Sequence, residues 1–324
     1  MARSVRFHKV GGPEVLRVEE VEVGEPGPGE ARVRHKACGV NFLDIYQRSG
    51  VYKIPLPSGA GNEGSGVVEA AGEGVTHVKP GNRVAYAGGP VGAYCELRNM
   101  PADRLCLLPD GISFEQGAAM MLKGMTAQYL IRRTYKVQPG DAVLFHAAAG
   151  GVGSIACQWL KALGATVIGT AGSDEKCNLA RQNGADYCIN YRKENFRERV
   201  MEITKGAGVP VVYDSVGRDT FMDSLRCLRP LGLMVIFGTS SGLVPPLEVN
   251  LLMQYGSLFL TRPSLNTYAA KGADLEAISG DLFETVLAGK VKIKIGQHYP
   301  LKDAAQAHRD LEDRKTTGSI ILIP

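Results

Sequence analysis

The chain has 324 residues, of which 44% are apolar and 22% charged, an ordinary globular composition with room for two domains that excludes a disordered or fibrous protein. Its formal charge of +4 is small and spread along the sequence, so neither a nucleic-acid surface nor a membrane surface is expected, while an anionic ligand would be tolerated. No apolar run approaches the length that spans a bilayer, and the first six residues carry no apolar signal region, so the expectation is a cytoplasmic protein.

Residues 18–37 follow a period of two. Val21 and Val23 alternate with Glu20 and Glu22, a Pro/Gly turn occupies 26–29, and Ala31, Val33 and His35 then alternate with Arg32, Arg34 and Lys36. Half-buried antiparallel strands are predicted. Further short strands are expected at 66–71, 83–87, 93–97 and 104–107, separated by glycine-rich turns, so the first third reads as a strand-rich lobe. The rhythm changes after Pro109. Residues 113–122 and 126–137 read as two helices, the first opened by Ser113 and Glu115 in N-cap fashion.

From there strands and helices alternate strictly, with strands predicted at 143–147, 166–170, 187–190, 209–214, 233–237 and 257–261. Six parallel strands joined by right-handed crossovers make a doubly wound sheet, expected in the order 3-2-1-4-5-6. Its first strand runs into Ala147, Ala148, Ala149, Gly150, Gly151, Val152 and Gly153, after which Ile155, Ala156, Trp159, Leu160 and Leu163 recur at helical spacing. The small residues let a ligand approach backbone, and the free N–H groups of the helix's first turn favour a pyrophosphate. The turn does not spell the full Gly-x-Gly-x-x-Gly pattern, and its bland alternative is a tight turn with nothing bound. In a sheet of this order ligands lie beyond the carboxyl ends of the strands, which carry Asp214, Ser215, Val216 and Gly217 after the fourth, Phe237, Gly238, Thr239, Ser240 and Ser241 at the fifth, and Arg262 after the sixth.

The second strand's end governs the coenzyme. An acid there would hold the ribose hydroxyls of NADH, but the tip is not acidic, and Ser173 and Lys176 could both reach a 2′-phosphate. NADPH is predicted, against the neighbouring Asp174 and Glu175. The last segment holds predicted helices at 274–287 and 302–314 and strands near 291–295 and 319–323, packed back against the first lobe. That gives two domains, 1–124 with 265–324 and 125–264, and an active site in the cleft between them. The seven cysteines include no Cys-x-x-Cys pair, so buried free thiols are expected, with Cys157, Cys177 and Cys227 on helices and Cys188 in a strand. The scattered histidines form no zinc pattern.

Several stretches together resemble the medium-chain dehydrogenase/reductase superfamily, specifically its zinc-free quinone oxidoreductase branch. They are 39–44 (Gly-Val-Asn-Phe-Leu-Asp) with Tyr46, Arg48, Ser49, Gly50 and Tyr52, then 61–68 (Gly-Asn-Glu-Gly-Ser-Gly-Val-Val), the turn at 147–153, and 213–217 (Tyr-Asp-Ser-Val-Gly). The resemblance spans the whole chain and implies a Rossmann domain beside a GroES-like catalytic lobe. Zinc-dependent relatives carry a cysteine ligand where this chain has Asn41 and a histidine where it has Asn62, and the four-cysteine structural zinc loop is missing. Amides are poor substitutes for thiolate and imidazole, so no catalytic metal is expected. A quinone is electrophilic enough to accept hydride without one.

By the resemblance, Asn41, Tyr46 and Tyr52 would line the cleft by the nicotinamide, and Thr126 would touch the nicotinamide side. Ala149 to Gly153, Ser215, Phe237, Gly238 and Ser240 would follow the dinucleotide, Ser173 and Lys176 would take the 2′-phosphate and Tyr191 the adenosine end. Arg262 could pair with a phosphate, steer an anionic substrate, or merely bridge the lobes. The implied activity is NADPH-dependent reduction of a small-molecule quinone. The alternatives are reduction of α,β-unsaturated ketones or aldehydes, or an NADPH-binding protein with little turnover, such as the crystallin-like and RNA-binding relatives. A homodimer is expected, paired through an edge strand at 256–262.

Overall fold

A computed structural model describes all 324 residues, which divide into two compact units. The first comprises Met1–Met125, Ala269–Leu287 and Ile293–Pro324, and the second Thr126–Tyr268 and Ala288–Lys292.

The second unit is built on a six-stranded parallel sheet. In spatial order its strands are Tyr187–Asn190, Thr166–Ala171, Ala142–Phe145, Val209–Asp214, Leu228–Ile236 and Phe259–Thr261, which is the expected 3-2-1-4-5-6. The order reverses beside Ala142–Phe145, so the helix Gly151–Ala162 begins at the switch point of the sheet. Runs buried on both faces, such as Val209–Asp214, give the core, where Leu144, Ile168, Val212 and Met234 meet Phe196, Val200, Phe221 and Leu225.

The first unit carries a sheet in which Ile295–Pro300, Ser319–Ile323, Glu30–Val40, Glu63–Ala71, Arg83–Ala87 and Cys106–Leu107 follow one another, with Leu97–Pro101 also paired to Glu30–Val40. Ala31, Val33 and His35 point inward as their alternation predicts. The two strands read from 18–37 do not form a hairpin, however. Arg17–Val21 pairs with Ala2–Phe7 in a separate three-stranded sheet, while Glu30–Val40 pairs with Glu63–Ala71. The last strand, Ser319–Ile323, runs antiparallel to the end of Glu30–Val40 with Ile321 opposite Gly39.

Several elements differ from their sequence reading. The strand expected at 93–97 begins only at Leu97, because Ala93, Tyr94 and Glu96 spend their backbone bonds on Gly61, Ala60, Val5 and Arg3. The strand expected at 104–107 is shortened to Cys106–Leu107 by a preceding 3-10 turn, Ala102–Arg104. The two helices at 113–122 and 126–137 are one, Phe114–Tyr129, ending in a π-helical turn, Leu130–Thr134. Gly124 is no break: a Cβ there would stand 2.6 Å from both methyl carbons of Leu282, so the glycine admits the helix Gly272–Leu287. Ser113 does cap this helix, but with Gln116 as its reciprocal partner rather than Glu115. The strand near 291–295 starts at Ile295, because Lys292 is held through both its N–H and C=O by the Gln158 amide. Cys227 follows the helix Phe221–Leu225 rather than lying on it.

Candidate active site

Asn41 follows the longest strand, Glu30–Val40, and is the N-cap of the helix Phe42–Arg48. Its backbone N–H donates to Asp44 Oδ2 at 2.8 Å, so the acid in the first turn fixes the helix start. Its side-chain Nδ2 donates to Glu63 Oε2 at 2.7 Å. Glu63 is fully buried, accepts the Leu122 N–H at 2.8 Å and faces Lys123, whose Nζ lies 3.5 Å from Oε2 and 3.3 Å from the Val40 carbonyl. A buried charge pair of this kind holds only when further hydrogen bonds satisfy it, and Asn41 supplies one.

The second amide behaves alike. Asn62 Nδ2 donates at 2.7 Å to Asp44 Oδ1 and to Gln47 Oε1. Asp44 also accepts from the Tyr94 hydroxyl at 2.7 Å. Burial pushes its carboxyl up to about 6 in spite of these donors, with nearby Glu63 adding to the rise. The network continues through Tyr94 to His308 Nε2 at 3.1 Å, and from His308 Nδ1 to the Arg48 guanidinium at 3.3 Å. Burial, then Arg48, drives His308 down to about 3, so its imidazole is neutral. With Arg48 donating to Nδ1, the proton sits on Nε2 and points at Tyr94. Arg48 closes the network with a bidentate pair to Glu312 at 2.7 and 3.0 Å and a bond to the Gly11 carbonyl at 3.1 Å.

Tyr46 and Tyr52 are half-buried beside this framework. Their rings are 5.3 Å apart, Phe42 stands 6.2 Å from Tyr46, and the Tyr52 N–H donates to the Tyr46 carbonyl. Asn41, Tyr46 and Tyr52 are thus brought together. Asp44, Arg48, Asn62, Glu63, Tyr94, Lys123 and His308 complete the framework without having been singled out as site residues. Asp44, Arg48, Asn62 and Glu63 lie in the quoted motifs, and Lys123 is a lone cation in an apolar helical run; Tyr94 and His308 give no local signal.

In the second unit the turn after Ala142–Phe145 places Ala147 at φ 52° and leads into a helix whose N-cap, Gly150, makes no side-chain cap and whose first turn contains no acid. Gly153 is needed for close approach, since a Cβ would fall 2.4 Å from the Ala147 carbonyl oxygen. Ser215, Phe237, Gly238 and Ser240 gather at the ends of the adjacent strands. The Ser240 N–H donates to the Ser215 carbonyl, the Phe237 N–H to Asp214, and the Phe237 ring lies 5.7 Å from Phe145. Asp214 itself, fully buried, accepts from Val216 N, Gly217 N and the Thr220 hydroxyl, so it shapes its loop. Thr126 is buried and hydrogen-bonded to Tyr129, whose ring stacks on Tyr268 at 4.7 Å.

Ser173 is the N-cap of Asp174–Gln182, accepting the Lys176 N–H at 3.3 Å and bonding the Glu175 carboxylate. Tyr191 is exposed just after the neighbouring strand. Arg262, also exposed, follows Phe259–Thr261, separated by two strands from Ala142–Phe145. All seven cysteines are free and buried, and burial lifts the Cys95 and Cys106 thiols to about 11 and those of Cys157 and Cys227 to about 12.

Two families match the sequence, one described as an alcohol dehydrogenase GroES-like domain over residues 27–140 and one as a zinc-binding dehydrogenase over residues 151–275. The quinone oxidoreductase of Pseudomonas aeruginosa is 53% identical over the full length of both chains. The chain belongs to the quinone oxidoreductase branch of the medium-chain dehydrogenase/reductases. Within this branch the Escherichia coli quinone oxidoreductase, solved in complex with NADPH, superposes with a TM-score of 0.98 at 52% identity over all of both chains. A 2-haloacrylate reductase from a Burkholderia species is 46% identical over 100% of this chain and 99% of its own. The zinc implied by the second family's description does not fit here. Asn41 and Asn62 turn their N–H groups toward Glu63 and Asp44, and no group of three or more His, Cys, Asp or Glu side chains could hold a metal ion. No helix is long and apolar enough to cross a membrane.

Proposed function

We propose that the protein is an NADPH-dependent quinone oxidoreductase that works without a metal. The observation carrying this reading is the uncapped, acid-free start of Gly151–Ala162 at the switch point of the sheet, in a chain alike from end to end to a quinone oxidoreductase solved with NADPH. The N–H groups at Ala149 to Gly153 receive the pyrophosphate, while Ser215, Phe237, Gly238 and Ser240 border the dinucleotide. Lys176 and Ser173 take the 2′-phosphate and Tyr191 the adenosine end. Thr126 contacts the nicotinamide side, and Arg262 pairs with a phosphate or steers an anionic substrate. Bound NADPH supplies a hydride, which with one proton converts a quinone to its hydroquinone.

The protein's part is positioning. Glu63 engages one N–H of Asn41, fixing the amide and leaving its second N–H to donate to a quinone oxygen. Tyr46 offers a hydroxyl to the same acceptor, and Tyr52 packs against Tyr46 as one wall. A second reading, hydride delivery to a conjugated carbon, is favoured by the likeness to 2-haloacrylate reductase, because a haloacrylate is an activated alkene. We further propose a cytoplasmic homodimer. Phe259–Thr261 ends the sheet with one edge unpaired, and Phe259 and Leu260 are exposed on it.

Initial rates of NADPH oxidation by chelator-treated protein test the function, with a para-quinone, an unsaturated ketone and a haloacrylate as acceptors and NADH as the competing donor. Quinone-dependent turnover that prefers NADPH and survives the chelator is expected, and Lys176→Ala should weaken NADPH about tenfold more than NADH. Turnover with the alkene alone would favour the second reading. Tight NADPH binding without turnover on any acceptor would replace both with a binding role.

A further inference from the structure

The helix Asp174–Gln182 starts with two consecutive acids, Asp174 and Glu175, between Ser173 and Lys176. Carboxylates there repel a dianionic 2′-phosphate, so on charge alone this turn should favour the dinucleotide that lacks it. The structure shows what offsets them. Lys193 Nζ lies 2.5 Å from Asp174 Oδ2, and Asn190 Nδ2 donates to Asp174 Oδ1 at 2.7 Å, so both oxygens of the carboxylate are engaged. The anchor is firm. Asn190 is buried at the end of Tyr187–Asn190, and its own Oδ1 accepts the Arg192 N–H at 3.1 Å.

Lys193 and Asn190 hold the Asp174 carboxyl below its usual range, and the Lys193 ammonium is raised in return, chiefly by Asp174 and further by Glu175. Between the two tethering residues, Tyr191 carries its hydroxyl over Gly172, 2.6 Å from where a Cβ would stand. One short segment, 190–193, therefore supplies both a ring at the coenzyme's adenosine end and the cation that neutralises the acids beside it.

We propose that Lys193, with Asn190, is a specificity-determining residue of the coenzyme site: it holds and neutralises Asp174 so that a 2′-phosphate is accepted at a helix start that would otherwise repel it. This rests on the NADPH reading above. Lys193 acts through Asp174, so its loss leaves an unbalanced carboxylate rather than a missing phosphate ligand.

Calorimetric titration of the full chain with 2′,5′-ADP and with 5′-AMP, at low ionic strength where exposed charges are least screened, tests the idea without turnover. The unsubstituted protein should bind 2′,5′-ADP more tightly. Lys193→Gln should weaken 2′,5′-ADP about two- to fivefold, the range of an exposed ion pair, and leave 5′-AMP unchanged. Lys193→Gln combined with Asp174→Asn should restore 2′,5′-ADP binding. A double variant as weak as Lys193→Gln alone would mean that Lys193 contacts the phosphate directly and would overturn the proposal, as would equal weakening of both probes or no change. An unsubstituted protein that does not prefer 2′,5′-ADP would instead remove the NADPH reading and this inference with it.

Discussion

Tyr94 donates its hydroxyl to Asp44 across 2.7 Å, and both side chains are buried in the first unit. Three donors converge on this carboxylate, the others being the Asn41 backbone and the Asn62 amide, yet burial still pushes it up to about 6. As pH falls through about 6 the acid takes a proton and loses its strong pull on those donors, loosening the start of the helix that carries Tyr46. The expected result is a kcat/KM for quinone that declines below an apparent pKa near 6, and a low, flat profile for Asp44→Asn. The sign for stability is opposite. A carboxyl raised in the folded state binds its proton more readily there, so its contribution to stability falls as pH rises from about 4 to about 6 and is level above that. Denaturant unfolding of the parent and Asp44→Asn across this range checks it.

Arg48 is 2% exposed and makes four hydrogen bonds to Gly11, His308 and Glu312. Arg48→Met should destabilise the protein by about 2–4 kcal/mol, below the full cost of breaking a buried pair because Glu312 retains some solvent. Arg48→Lys should recover little, since a single ammonium cannot reproduce the bidentate fork. Urea midpoints of the three proteins would decide this.

At Gly124 two effects oppose each other. Replacing a helical glycine by alanine gains about 1 kcal/mol of propensity, whereas overpacking a filled core costs about 1–3 kcal/mol. Leu282 is fully buried and leaves the new methyl no room, so Gly124→Ala should lower thermal stability despite its better propensity. Adding Leu282→Val should recover part of the loss, and a gain in Tm from Gly124→Ala alone would contradict the packing argument.

The exposed edge of Phe259–Thr261 is expected to pair with a second copy. Sedimentation equilibrium at micromolar concentration should return a dimer mass, and replacing both Phe259 and Leu260 by lysine should return a monomer with unchanged far-ultraviolet circular dichroism.

The parallel sheet was readable because each strand is a short apolar run followed by a helix of clear period, so order and crossovers followed from chain rules that need no distant contact. The lobe of antiparallel strands was less so. Arg17–Val21 and Glu30–Val40 look like a hairpin in sequence, but their partners lie elsewhere in the chain, and period alone does not name a partner. The site divided similarly. Asn41, Asp44, Asn62 and Glu63 stand in short motifs, while the bonds from Arg48 to His308 and Glu312 span 260 and 264 positions, a separation that no spacing rule covers. Gly124 lies in the gap between the helices predicted at 113–122 and 126–137, and a glycine that makes room for a neighbouring helix is indistinguishable, in sequence, from one that ends its own.

The return of Ser319–Ile323 to the strand Glu30–Val40 also sets the order in which the two units can be completed during synthesis. All six strands of the parallel sheet have been synthesised once Thr261 is added, when the segment holding Asn41, Tyr46 and Tyr52 still lacks its neighbouring strand and the Arg48 partners His308 and Glu312. The unit that holds Asn41 is therefore begun before the parallel sheet and completed after it, and a chain cut short before Ser319 keeps all six parallel strands while the end of Glu30–Val40 lacks its antiparallel partner.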